Sequence, residues 1–189
     1  MKTEFGSARQ YVMQALAQSH PELLRASDAF KAHRVAARNL QVQLAGEFPG
    51  VKFKVSTSAF GANGKCLWVQ WLDGPTVDQV RPLGDLYSER PFGDIRESKP
   101  EFVTAWREAF GSVETVVSER SYSDEAISHA LRRLEMQLGE RFVALDATVN
   151  KCRNRSMFSR SVLVDGMGEV NAMDLVERVL DNTVWFAAA

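Results

Sequence analysis

Residues 51–76 read VKFKVSTSAFGANGKCLWVQWLDGPT, and two periodicities in this stretch decide the fold. Val51, Phe53, Val55 and Thr57 alternate with Lys52, Lys54, Ser56 and Ser58, the period of two that buries one face of a strand and wets the other. Gly61-Ala62-Asn63-Gly64 supplies residues that tolerate positive φ. From Lys65 to Leu72 a second strand carries Leu67, Val69 and Trp71 on one face, which predicts a hairpin. Trp68 falls on the face opposite Trp71, so either that side of the hairpin is covered as well, the preferred reading, or Trp68 is exposed and available for contact. Asp73-Gly74-Pro75 is turn chemistry. Thr76 and Gln79 stand at the capping-box spacing for a short helix starting at Val77, and Pro82 limits or kinks that helix.

Upstream, Leu23, Phe30, Ala37, Leu40 and Leu44 recur at helical spacings and predict one long amphipathic helix that ends at Phe48-Pro49-Gly50. Pro21 suits its first turn. Tyr11, Val12, Ala15 and Leu16 mark an earlier helix, broken at Ser19-His20-Pro21 because the residue before proline resists helical dihedrals. Downstream, a strand is expected around Gly93 to Glu97, and Phe102, Trp106 and Phe110 at i, i+4 and i+8 predict a helix over 101–110. Val113 to Tyr122 is rich in β-branched residues and reads as a strand. Ser123, followed by Asp124 and Glu125, caps a helix that buries Ile127, Leu131, Leu134 and Leu138 and stops at Gly139. Residues 142–166 are ambiguous, with RSVLVDG as a strand candidate. A last helix from Ala172 takes Asn171 as its cap and buries Leu175, Val176, Val179 and Leu180. This order predicts a single α+β domain over 1–189, with a mostly antiparallel sheet of three to five strands packed against helices. Its parts are a helical segment at about 1–47, a sheet-containing core at about 48–140 and an extension at about 141–189.

Composition supports such a domain. The chain has 189 residues, 45% hydrophobic and 25% charged, values that exclude disordered, collagen-like and disulfide-dense classes. Folding a chain of this size buries roughly 70% of the unfolded surface, and four Trp, three Tyr and eleven Phe are available to fill the interior. Cys66 and Cys152 are too far apart for a paired zinc or redox motif. Cys66 reads as a small hydrophobe; Cys152 sits among Lys151, Arg153 and Arg155, and nearby cations can lower a thiol pKa. No secretory leader and no run near the ~20 residues of a membrane span is present, so a cytoplasmic protein is expected.

Catalytic signatures are missing. There is no Gly-rich phosphate loop, paired His and carboxylate metal motif or nucleophile elbow. His20, His33 and His129 lie singly in or beside predicted helices, so no metal and no cofactor are expected. Ser118 to Glu125, SERSYSDE, is the most functional-looking polar run: Arg120, Tyr122, Asp124 and Glu125 are a candidate polar-ligand site at a strand end, set against the plainer reading of an outward face followed by a capped helix.

The formal net charge is −1, which excludes coating of nucleic acid by bulk charge, yet the charge is uneven. Residues 1–72 hold 9 basic and 4 acidic side chains, residues 73–149 hold 9 and 15, and residues 150–189 hold 5 and 5. Arg25, Lys31, Arg34 and Arg38 on the predicted long helix, and Lys151, Arg153, Arg155 and Arg160 around Phe158, are candidate nucleic-acid contacts. Asp85, Glu89, Asp94, Glu97, Glu101 and Glu108 form an acidic region suited to mimicking phosphates in the basic groove of a protein partner.

The segment FPGVKFKVSTSAFGANGKCLWVQWLDGPTVDQV, Phe48 to Val80, together with the later SERSYSDE, resembles a large polyvalent protein-associated domain, the twenty-ninth type of that series. The resemblance covers about residues 30–140, with the hairpin and the turn after Trp71 as its most specific part; Pro82 and the added segments at both ends depart from it. It implies a phage or mobile-element protein that acts in establishing or protecting an invading genome, and it carries no catalytic residues over. The expected function is therefore non-catalytic: binding and inhibition of a host defence complex, of anti-CRISPR or antirestriction type, by occlusion or nucleic-acid mimicry. Direct DNA or RNA binding in mobile-element establishment is the alternative. A nucleotide- or protein-modifying enzyme ranks third, and no oligomeric state is implied.

Overall fold

The computed structural model describes residues 3–26, 32–60, 64–90 and 100–185. The chain divides into two compact units, residues 1–71 with 77–120 and residues 72–76 with 121–189, each with its own buried apolar cluster. Both mix helix and strand, giving the α+β class that the sequence predicts.

In the first unit, α1 (Thr3–Ser19) and α2 (Ala32–Glu47) precede the hairpin β1 (Lys54–Phe60) and β2 (Gly64–Leu72). The hairpin pairs antiparallel with Ser56 opposite Trp68 and Phe60 opposite Gly64. Helices α3 (Val77–Asp85) and α4 (Pro100–Phe110) then lead to β3 (Thr115–Ser121), and the sheet order is β1-β2-β3. Glu114 N–H donates to Lys65 C=O, and Gln70 Nε2 donates to Glu119 five residues further along both strands. Strand β3 therefore runs parallel to β2, and such a connection needs the crossover that α3 and α4 provide. The core beneath is aromatic: Trp106 packs on Phe110 with ring centroids 4.7 Å apart, on the ring edge of His20 at 4.9 Å and on Phe102 at 5.9 Å. The expected i, i+4, i+8 stripe of α4 is thus real, with Phe102 at its exposed rim.

Two expectations shift in this unit and a third falls outside the described residues. The long helix does not begin near Pro21: residues 21–26 are not helical and α2 starts at Ala32. The cause is Asn39, fully buried, whose side chain accepts from Leu24 N–H and donates to Leu24 C=O, both at 2.8 Å, and donates to the buried Phe110 C=O at 3.0 Å. It serves Leu24 as a neighbouring strand would, and Leu23 reaches the core from that non-helical segment. Helix α1 turns Met13 and Leu16 inward, leaving Tyr11 exposed. The strand expected around Gly93 to Glu97 lies outside the described residues.

In the second unit, α5 (Asp124–Leu138) has Ser123 as its N-cap, the hydroxyl accepting from Ala126 N–H at 3.1 Å, and ends at Gly139 with φ 57°. Short helices α6 (Glu140–Val143) and α7 (Val149–Arg153) and a 3₁₀ turn (Ser156–Ser159) follow. They fill the stretch whose sequence was ambiguous. Strands β4 (Ser161–Val164) and β5 (Gly168–Asn171) make an antiparallel hairpin, and Asn171 caps α8 (Ala172–Asp181) by accepting from Met173 N–H at 2.8 Å. The five strands thus fall into sheets of three and two among the described residues, rather than one sheet. No helix among them is long and apolar enough to cross a membrane.

Candidate functional site

The cations expected on one long helix separate into two places. Arg25 lines a small groove of about 420 Å³ with Glu108 and the amide ladder Gln10, Gln14 and Gln18, so its charge sits beside an acid. Arg34 and Arg38 are exposed and make no ion pair among the described residues. Lys31 lies outside the described residues.

Arg34 and Arg38 border a groove of about 660 Å³ between α2 and β1, with Ala37, Gln41 and Val42 on the helix wall and Val55, Ser56 and Thr57 on the strand wall. Helical geometry puts 34, 37, 38, 41 and 42 on one stripe. The strand wall follows from the sheet order, because β1 is an edge strand. Gln41 Nε2 donates to Phe53 C=O at 2.8 Å, so that carbonyl points toward α2. Backbone direction alternates residue by residue in an antiparallel pair, which turns the N–H and C=O groups of Val55 and Thr57 outward as well. Both residues sit at the open edge, Thr57 exposed and Val55 half-buried.

The charge of this stretch of chain is one-sided. From residue 32 to residue 72 the chain carries Arg34, Arg38, Lys52, Lys54 and Lys65 against Glu47 alone. Burial together with Lys65 and Arg34 holds the His33 imidazole below its ordinary pKa, so His33 adds no further cation near neutrality. That mutual influence also places Lys65 close to the N-terminal end of α2. On the opposite sheet face Trp68 is half-buried, its indole N–H donating to Ser58 Oγ at 3.0 Å.

The remaining sequence candidates are placed as follows. Asp85 and Glu89 both lie near Arg107, whose guanidinium donates to Asp85 C=O at 3.2 Å, and Glu89 accepts from Ser112 Oγ at 2.9 Å. Asp94, Glu97 and the side chain of Glu101 lie outside the described residues. Arg120 is buried in the first unit, while Tyr122, Asp124 and Glu125 belong to the second. There, Tyr122 OH donates to Asp181 at 2.5 Å, and Asp124 accepts from Arg153 at 2.8 Å.

Lys151 and Arg153 are spent inside their own unit. Lys151 Nζ binds Asp146 Oδ2 at 2.6 Å, and Arg153 also donates to Tyr122 C=O at 2.7 Å. Arg155, in left-handed backbone at φ 59°, stacks 5.9 Å from the Phe158 ring, and Arg160 is exposed. Cys152 is buried, and desolvation pushes its thiol pKa up, opposite to what the flanking cations in sequence suggest.

A second, larger groove of about 1190 Å³ runs along α5, lined among others by Asp73, Glu125, His129, Arg132, Thr148 and Trp185. Asp73 takes φ 55°, and its carboxylate accepts from Ser123 N–H at 2.9 Å. Gly74 and Trp185 exchange backbone hydrogen bonds in both directions. Its charges are of both signs, and the Asp73-Gly74 turn serves as an anchor for the start of α5. Sequence reasoning found the α2 cations but missed Gln41 and the open edge of β1. The hairpin alternation does not say which strand lies at the edge, since that depends on where β3 docks.

No curated protein and no solved structure matches the chain. Residues 32–123, from the first residue of α2 to the cap of α5, match the family model described as large polyvalent protein associated domain 29, and this segment is similar to the domains of that family.

Proposed function

We propose that this protein acts by binding rather than catalysis, and that its target is a protein component of host defence, of CRISPR-effector or restriction type. A domain of this family suggests a phage or mobile-element protein, and such elements gain from blocking defence. The observation that carries the binding reading is the α2/β1 groove: it lies inside the family segment and offers two exposed arginines and an open strand edge. Occlusion of a defence complex through that face needs no reacting group on this chain.

The test is affinity capture from a bacterial lysate split into nuclease-treated and untreated halves, with captured proteins identified by mass spectrometry. Stoichiometric capture of one defence complex that survives nuclease is the expected result. Charge reversal at Arg34 and Arg38 should then abolish both capture and inhibition of that complex. Capture that vanishes with nuclease refutes a protein-directed role and leaves direct nucleic-acid binding, the reading favoured by the five cations against one acid in residues 32–72. That alternative predicts affinity falling steeply with salt.

A further inference from the structure

The geometry points to strand addition: the edge of β1 takes an extended segment of the partner protein that carries acidic side chains at alternate positions. This deepens the proposed function by naming what the groove holds.

Three features of the groove carry it. First, β1 ends the sheet among the described residues, and the outward N–H and C=O groups of Val55 and Thr57 are the donors and acceptors that an incoming strand pairs with. Second, the spacing of charge fits. Arg34 and Arg38 are four residues apart on α2, about 6 Å along its axis, while alternate residues of a strand that share one face repeat at about 6.7 Å. Because Gln41 meets Phe53 at one end and His33 lies near Lys65 at the other, α2 runs antiparallel to β1. Lys65 itself pairs with Ala59. An added strand beside β1 therefore passes Arg38 and Arg34 in turn. Third, the floor suits a peptide better than a phosphodiester chain: Ala37, Val42 and Val55 supply apolar contact between the arginines and the strand, where an acidic residue's stem and its neighbours can pack. The two guanidinium groups, which make no ion pair among the described residues, can hold carboxylates through bidentate hydrogen bonds.

The experiment uses the full chain and a short fluorescent peptide alternating valine with glutamate. The same peptide with its alternate backbone amides N-methylated, and a short thymidine oligonucleotide, serve as comparisons in anisotropy titrations. Binding of the parent peptide is expected, weakened tenfold or more by N-methylation and by Arg34→Glu with Arg38→Glu, with the Val55 and Thr57 amides gaining hydrogen-exchange protection. Thr57→Pro removes one outward donor without touching the β1–β2 ladder and should weaken binding severalfold; hydrogen exchange of the β2 amides checks that the sheet is intact in that variant. Equal affinity for the N-methylated peptide overturns the inference, as does failure of the parent peptide to bind. Preferential binding of the oligonucleotide, displacing the peptide, overturns it in favour of a nucleic-acid groove. Failure here with capture of a nuclease-resistant defence complex leaves the proposed function standing and removes only the strand-addition mode. Peptide binding without such capture has the opposite meaning.

Discussion

Replacing Asn39 with alanine tests how the first unit is held together. Asn39 sits on α2 with no exposed surface, and its amide closes three hydrogen bonds, two to Leu24 at 2.8 Å and one to Phe110 C=O at 3.0 Å. Each such bond contributes about 1 kcal/mol net, and a buried acceptor left unsatisfied costs about 1–3 kcal/mol. Phe110 C=O is of the latter kind, while the Leu24 groups are only partly buried and recover part of their loss from water. The expected destabilisation is roughly 3 kcal/mol, about a hundredfold in the folding equilibrium. With an m-value of about 1.5 kcal/mol/M for a unit of this size, the urea midpoint should fall by about 2 M. A Trp185→Phe background makes the signal specific, because Trp68, Trp71 and Trp106 all lie in the first unit. Asn39→Asp sharpens the test: the carboxylate still accepts from Leu24 N–H but faces two carbonyl oxygens with no donor. Its neutral form is favoured in the fold, so the penalty should shrink as pH falls through the raised carboxyl pKa. A midpoint shift for Asn39→Ala corresponding to less than about 1 kcal/mol would refute the reasoning.

Further outcomes are expected elsewhere. A Cβ at Gly111, where φ is +89°, would stand 2.4 Å from Ala32 C=O, so Gly111→Ala should cost about 3 kcal/mol or more through combined strain and overlap, read as a drop in thermal midpoint. Asn171→Ala removes the cap of α8 and a donor to Phe158 C=O; a loss of about 1–2 kcal/mol is expected in unfolding followed by Trp185 fluorescence. Burial raises the pKa of both Cys66 and Cys152, so the folded thiols stay protonated at pH values where unfolded ones ionise. Stability from these groups is therefore complete below about pH 8.5, the ordinary thiol value, and falls as pH rises above it; alkylation at mildly alkaline pH should proceed only as fast as the protein opens, and rapid labelling of the native protein would contradict the burial.

Local sequence chemistry made much of the fold legible. The Ser123 cap ahead of Asp124 and Glu125 and Asn171 before Ala172 each point to an element that forms where its residues predict, and the alternation through Val51–Thr57 points to a strand that forms from Lys54. These signals work because they involve neighbours within a turn or a strand, where side-chain period and capping geometry act without the rest of the chain. The misread start of α2 has the opposite cause. Helical spacing from Leu23 onward is satisfied equally by a helix and by a bent segment whose Leu23 reaches the same core, and the amide of Asn39 chooses between them from fifteen residues away in sequence.

Charge shows the same division more sharply. The composition of residues 32–72 makes that stretch cationic, and the i, i+4 spacing puts Arg34 and Arg38 on one face of a helix wherever that helix packs. Whether a cation is free is a tertiary matter: Lys151 and Arg153 stand in an equally basic run, yet Asp146, Asp124 and Tyr122 C=O fold back onto them, whereas Arg34 and Arg38 meet no acid among the described residues. The sequence by itself thus determined the elements, their caps and the sign of the charge along the chain, because these depend on residues close together in it. Only the tertiary structure decided that β3 docks on β2 rather than β1 and that Gln41 holds α2 against Phe53, leaving the β1 edge open beside two arginines, because edge position and charge pairing depend on contacts between residues far apart in the chain.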